Sequence, residues 1–277
     1  MEYDMIFCMD TTVQAKPRGL SEFHLKIIAY TCMFIDHVGA FIIWPYTNAN
    51  LETMGYQMMH RMDVLYNFCR IMGRIAFPLF CFMLVEGIFH TKNKWRYLAR
   101  LIIFAGLSDI PFDLANELAN NPFEPASAFR PFSYAQQSVM ITLAIGLLML
   151  ILMEKIRHSG LPVVLRELLM YVPVAAAATL AYFVNCDYDF KGILMIAGLY
   201  LMYPLLRIDR TAYALGGGVL FFWEWMNRPS RVTSSLALIP LLFYNGTKGK
   251  SAKWFFYFFY PTHLLLLYGI AYWLLFT

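Results

Sequence analysis

Residues 25–45 read LKIIAYTCMFIDHVGAFIIWP. As a helix at ~1.5 Å per residue this run reaches ~30 Å, the hydrocarbon thickness of a bilayer. Comparable apolar runs recur to the C-terminus. Of the 277 residues 60% are hydrophobic and only 14% charged, against about a quarter charged in soluble domains. Backbone groups in lipid must be paired within their own segment, so the runs are helices. The fold class is therefore all-α, a polytopic transmembrane bundle. Residues 1–24 form a polar N-terminal extension, and residues 25–277 a single integral-membrane domain. The extension carries acids and lacks the apolar core of a signal peptide, so the first span acts as the insertion signal.

Nine spans are expected: 25–45, 66–89, 97–114, 137–153, 167–185, 192–206, 211–225, 232–244 and 254–276. The seventh and eighth are short, and Gly216, Gly217 and Gly218 favour close packing or a break there, so eight to ten spans bound the count. Placing the N-terminus in the cytoplasm puts fifteen of the 22 Lys and Arg residues on the inner side. Arg61, Arg130, Lys191, Arg228 and Arg231 fall outside, and Arg70 and Arg74 fall within the second span. The expected location is a bacterial cytoplasmic membrane, crossed many times.

Ionisable residues inside membrane spans are expensive and mark function by default. At helical rise His37 and Asp109 each lie about 18 Å from the inner face, and His263 about 13 Å. Arg74 lies in the outer half of the second span. Four helices thus carry polar groups at similar depth. Arg70 and Arg74 share a helix face, as do Asp109 and Asp113 around Pro111. Asp36 and His37 are adjacent, so their side chains diverge by about 100°. Asp36 then pairs with an Arg of another helix rather than orienting its neighbour. The structural alternatives are a pair that fixes helix packing for Asp36 and Arg74, snorkelling for Arg70, a water-exposed helix end for Asp113, and hydrogen-bonded core imidazoles for the two histidines.

A neutral histidine can take a proton from an attacking hydroxyl or amine, and arginines can stabilise an oxyanion. That kit suits acyl transfer across a membrane. It equally suits a proton-linked transporter, although no internal repeat supports one. A non-catalytic assembly factor is the third reading. No P-loop, GxGxxG, HExxH or GxSxG motif occurs, which removes support for nucleotide hydrolysis, zinc proteolysis and serine hydrolysis. Five cysteines without CxxC spacing argue against a metal cluster, and no nucleic-acid partner is expected.

Several blocks resemble the TraX family. They are KIIAYTCMFIDHVGAFI (26–42), RIMGRIAFPLFCFMLVEGIFHTKNKWRYLARLIIFAGLSDIPFDLA (70–115), QSVMITLAIGLL (137–148), DYDFKGILMI (187–196) and YPTHLLLL (260–267). The resemblance implies a relative of pilin N-acetyltransferases and of the wider membrane acyltransferase group, with acetyl-CoA as acyl donor. It implies that His37 is catalytic, as general base or as acyl carrier, and gives functional weight to Arg74, Asp109, Asp113, Gln137, Asp187 and His263. Taken together, the residue reading and the resemblance give an expected catalytic set of His37, Asp36, Arg74 and Asp109, with Arg70, Asp113, Gln137, Asp187 and His263 towards the acceptor; Asp36 and Arg70 rest on the residue reading alone. Lys94, Arg96 and Arg207, in basic inner loops, are the expected contacts for CoA phosphates. Positive-inside topology by itself would also explain those loops. The acceptor is a protein N-terminus, a sugar or a lipid, and the oligomeric state is open.

Overall fold

The computed structural model describes residues 19–124, 136–225 and 229–277. Most of the N-terminal extension, Arg130, and the side chains of Arg207, Arg228 and Arg231 therefore lie outside the description.

Every regular element among the described residues is helical. Helix α1 spans Glu22–Ala49 and contains a π turn at Gly39–Ile43. Helices α2 (Tyr56–Gly73) and α3 (Ala76–His90) follow as one span interrupted only at Arg74 and Ile75. Next come α4 (Lys94–Asn120), α5 (Val139–Arg157), α6 (Val163–Phe183) and α7 (Asp189–Ile208). Helix α8 (Arg210–Trp225) leads to a 3-10 segment, Pro229–Ala237, then the short α9 (Leu238–Leu242) and finally α10 (Lys253–Phe276). Among the described residues six helices are long and apolar enough to cross a membrane: α1, α2–α3 taken together, α5, α6, α7 and α10.

Every expected span falls on helix, but several boundaries move. Helix α2 begins at Tyr56, ten residues before the apolar run at 66. Gln, Met and Arg of 57–62 are good helix formers, so the helix continues beyond the apolar segment. Helix α4 runs unbroken through Pro111. The first half of the expected eighth span is 3-10 helix and only Leu238–Leu242 is α-helix, because SRVTSS is poor in helix-forming residues. Helix α8 continues through its three glycines, and a Cβ on Gly216 would meet Met202 of α7, one on Gly218 Leu238 of α9. They serve close packing rather than a break.

The enclosed centre lies on α3, α5 and α7, where Leu79, Phe82, Leu147, Leu150 and Tyr200 are fully buried. Helix α10 packs along α4, and α1 along α2 and α3. The π turn of α1 is touched by α2, α4 and α10 together. It begins two residues after His37, so the residue that the sequence singles out lies beside the junction of four helices. π turns recur at functional sites for this reason: the extra residue redirects neighbouring side chains.

The ends of the bundle differ. The segment 243–248 is tied to the start of α1 by backbone hydrogen bonds, among them Glu22 N–H to Thr247 O at 2.8 Å and Phe23 N–H to Lys248 O at 3.2 Å. Lys26, Lys248, Lys250, Lys253 and Arg100 thereby collect at one end. Lys94 is instead paired with buried Glu154, 2.9 Å away.

Candidate active site

The centre of the polar layer is an imidazole pair. His37 Nδ1 lies 2.7 Å from His263 Nε2, across 226 residues of chain. The rings are parallel within 3°. His263 is buried and its Nδ1 lies 2.8 Å from the Phe259 carbonyl, one turn back on α10. The Tyr260 ring meets both imidazoles edge-on, at 6.0 and 5.4 Å between centroids. Phe34, Phe41 and Phe259 complete an aromatic wall around the pair.

Asp36 points to the next helix, as the angular argument requires. Its Oδ2 accepts from Arg70 Nη1 at 2.8 Å. Arg74 and Asp187 also lie within electrostatic reach of Asp36, and Arg70 within reach of His37. Asp36 Oδ1 is buried without a hydrogen-bond partner among the described residues. The close approach of α1 to α2 depends on two glycines. A Cβ on Gly39 would lie 2.7 Å from Cys69 Cβ, and one on Gly73 would overlap the whole Asp36 side chain. Gly73→Ala is expected to separate the Asp36–Arg70 pair and lower stability by about 1–3 kcal/mol. Gly106→Ala, where nothing lies within 4 Å, should be neutral or mildly stabilising by its helix propensity. Unfolding of the two variants in matched detergent checks the contrast.

From α4, Asp109 accepts a hydrogen bond from the Ser138 backbone N–H. Asp113 is buried on the same face one turn on. Gln137 and Asp187 are joined by a short bridge: Gln137 N–H donates to Asn185 O at 3.0 Å, and Asp187 N–H to Gln137 O at 2.9 Å. Asp187 and Asp109 both lie within electrostatic reach of Tyr260. Cys186 sits among these carboxylates. Burial, with Asp187, Asp189 and Asp109 nearby, pushes its thiol up to about 11 despite a side-chain hydrogen bond with Thr142. It stays a thiol at neutral pH and does not compete as a nucleophile.

A cavity of about 510 Å³ opens at the basic end and is lined there by Lys26, Arg100, Lys248, Lys250 and Lys253. Lys253 lies within electrostatic reach of both Arg100 and Lys248. The two lining carboxylates are already engaged. Glu22 holds Lys26, and buried Glu86 accepts from Tyr203, Tyr244 and His90 at 2.6, 2.7 and 3.0 Å. Deeper, Met33, Val139, Met140, Leu143 and Tyr260 make an apolar end. Met33 is one turn before His37, and Tyr260 one turn before His263. The cavity therefore ends against the tyrosine that touches both imidazoles.

The residues expected from sequence divide into two groups. Asp36, His37, Arg70, Arg74, Asp109, Gln137, Asp187 and His263 come together around this centre, with Asp113 one turn from Asp109. Of the expected phosphate contacts, Lys94 and Arg96 do not line the cavity. Lys94 is held by Glu154, Arg96 is exposed on the first turn of α4, and the Arg207 side chain is outside the description. Tyr260 and the cations of the cavity mouth were absent from the expected site. The i, i+3 spacing of Tyr260 and His263 on one helix face was the available signal for the tyrosine.

Fold and site define an integral-membrane helical protein with a buried histidine pair behind a cation-mouthed cavity. The chain belongs to the TraX family: the family model described as TraX protein matches residues 21–271. It is also 31% identical over 259 residues to the probable fimbrial assembly protein FimC, serogroup H1, of Dichelobacter nodosus, covering 89% of this chain and 94% of that protein. No solved structure matches the chain.

Proposed function

We propose that this protein is a membrane acyltransferase that takes an acetyl group from acetyl-CoA at the cytoplasmic end and passes it to an amine or hydroxyl acceptor arriving from the other side. The single observation that carries this reading is the cavity. It offers cations at its mouth, suited to phosphates, and an apolar end that stops at the ring packed on His37 and His263. Its volume is within the range of small-molecule sites. The clustering of basic residues at that end supports a cytoplasmic N-terminus and nine crossings of a bacterial cytoplasmic membrane, with α4, α8 and the 229–242 segment completing the count.

In the reaction, the acceptor nitrogen or oxygen attacks the thioester carbonyl. The new C–N or C–O bond forms as the C–S bond breaks. His37 takes the acceptor's proton and returns it to the departing sulfur. Arg70 and Arg74 steady the negative charge that develops on the carbonyl oxygen. Asp109 and Asp187 face the acceptor side and suit a cationic or hydroxylated group. The fimbrial relative suggests a pilus- or fimbria-assembly setting, with a polypeptide N-terminus as one acceptor to try first.

The test is incubation of purified protein in lipid bilayers with acetyl-labelled CoA and envelope extracts, followed by identification of labelled product. Transfer that needs the protein supports the reading. Folded protein that transfers no label from acetyl-CoA overturns it. Lys248→Ala/Lys250→Ala/Lys253→Ala is expected to raise KM for acetyl-CoA on the order of tenfold, a loss of about 1.4 kcal/mol, with kcat unchanged. Steady-state kinetics with CoA and dephospho-CoA donors would separate phosphate recognition from a general loss of affinity.

A further inference from the structure

The hydrogen-bond chain through α10 fixes which atom of His37 carries its lone pair. A carbonyl oxygen only accepts, so His263 Nδ1, 2.8 Å from Phe259 O, carries a hydrogen and donates it. A neutral His263 then has its lone pair on Nε2. That nitrogen lies 2.7 Å from His37 Nδ1, so the hydrogen between them belongs to His37. The opposite polarity would require His263 to carry both hydrogens. That would place an imidazolium in a buried, aromatic-walled position with Arg70 within electrostatic reach of its partner His37, an arrangement disfavoured by desolvation and like charge. No carboxylate among the described hydrogen bonds contacts either ring to offset it. With Nδ1 committed as donor, the remaining nitrogen of His37, Nε2, is the base.

We propose that His263 is a positioning residue that holds His37 in its Nδ1–H form, so that Nε2 of His37 is the atom that takes the acceptor's proton. A carboxylate is the common partner that sets the tautomer of a functional histidine. Here an imidazole backed by a main-chain carbonyl does the same work, and it does so without placing a fixed negative charge beside the base. The catalytic half of the statement rests on the acyltransfer reading above; the tautomeric half does not.

The experiment uses full-length protein in lipid bilayers with 15N-labelled histidine. The chain has 6 histidines, so His37 is assigned by its loss in His37→Gln. Nitrogen shifts and couplings report which ring nitrogen is protonated. Wild type is expected to show His37 with a protonated Nδ1 and a bare Nε2. His263→Phe keeps a ring between Phe34 and Phe259 but removes the acceptor. It should release His37 towards the Nε2–H form that free imidazole side chains prefer. It should also lower kcat on the order of 100-fold while KM for acetyl-CoA stays within about twofold, since the cavity mouth is untouched. His263→Gln can accept from His37 through its amide oxygen and donate to Phe259 O through its nitrogen. It should restore the Nδ1–H signature and about tenfold of the lost kcat.

A wild-type His37 protonated on Nε2 overturns the proposal. So does a His263→Phe protein with the wild-type tautomer and kcat. Should His263→Phe fail to fold, the wild-type and His263→Gln spectra still decide it. Absence of acetyl transfer in wild type would count against the acyltransferase reading alone, because the tautomer is read without turnover.

Discussion

His37→Ala is expected to lower acetyl transfer by roughly 10²–10⁴-fold, the range that a positioned general base contributes. The size follows from how the described groups nearby are already engaged. Of the groups near the cavity end, Cys186 is a protonated thiol. Asp36 is engaged by Arg70, and Asp109 by the Ser138 amide. His263 has its lone pair at the position that His37 vacates, but its ring is anchored to Phe259. KM for acetyl-CoA should change little, because His37 does not line the cavity. The removed ring also leaves a void against Phe41 and Tyr260, which a small added base such as imidazole can enter. Partial rescue of kcat by imidazole, with unchanged unfolding behaviour, would separate lost chemistry from lost structure. A folded His37→Ala protein with kcat within twofold of wild type would remove His37 from the mechanism.

The sequence was legible wherever a property is local. Helical spans follow from apolar runs and from the need to satisfy backbone groups in lipid. The divergence of Asp36 from His37 follows from 100° per residue and leads to an Arg of a neighbouring helix. Which Arg was not legible. Arg70 and Arg74 share a face, and the choice is made by the glycine at 73, which lets Asp36 settle against α2 beside Arg70. Arg74 instead lies at the interruption between α2 and α3, within electrostatic reach of Asp36.

Long-range juxtaposition was the harder part. The His37–His263 contact joins the first helix to the last, and depth estimates brought the two only to within a few ångströms along the membrane normal. Nothing in spacing says that α10 lies against α1 at that height. The basic loops show the same limit. Lys94 and Lys248 both read as topology signals. Lys94 is neutralised by buried Glu154, whereas Lys248 is carried to the cavity mouth by the backbone bridge between residues 243–248 and the start of α1. The partner of a charge, rather than its presence, separates a ligand contact from a solvated face.

The second large effect falls on stability. The side chains of Asp36 and Arg70 are only 18% and 28% exposed. Removing one partner of a buried pair strands the other charge at a cost of about 3–5 kcal/mol. Asp36→Ala is therefore expected to destabilise the protein on the order of 3 kcal/mol, towards the low end because neither group is fully enclosed. Arg70→Ala should do likewise, leaving a carboxylate whose Oδ1 already lacks a hydrogen-bond partner among the described residues beside Asp187. The double variant should be less destabilised than the sum of the two, by about 1–3 kcal/mol, because no charge is left unpaired. Reversible unfolding in a mixed-micelle titration of all four proteins closes the cycle. Simple additivity would mean that the pair is solvated in the bilayer and that Arg70 is held by something other than Asp36. A strong coupling with transfer activity lost in the double variant would separate the two roles, since packing would be restored while the guanidinium facing the reaction centre would not.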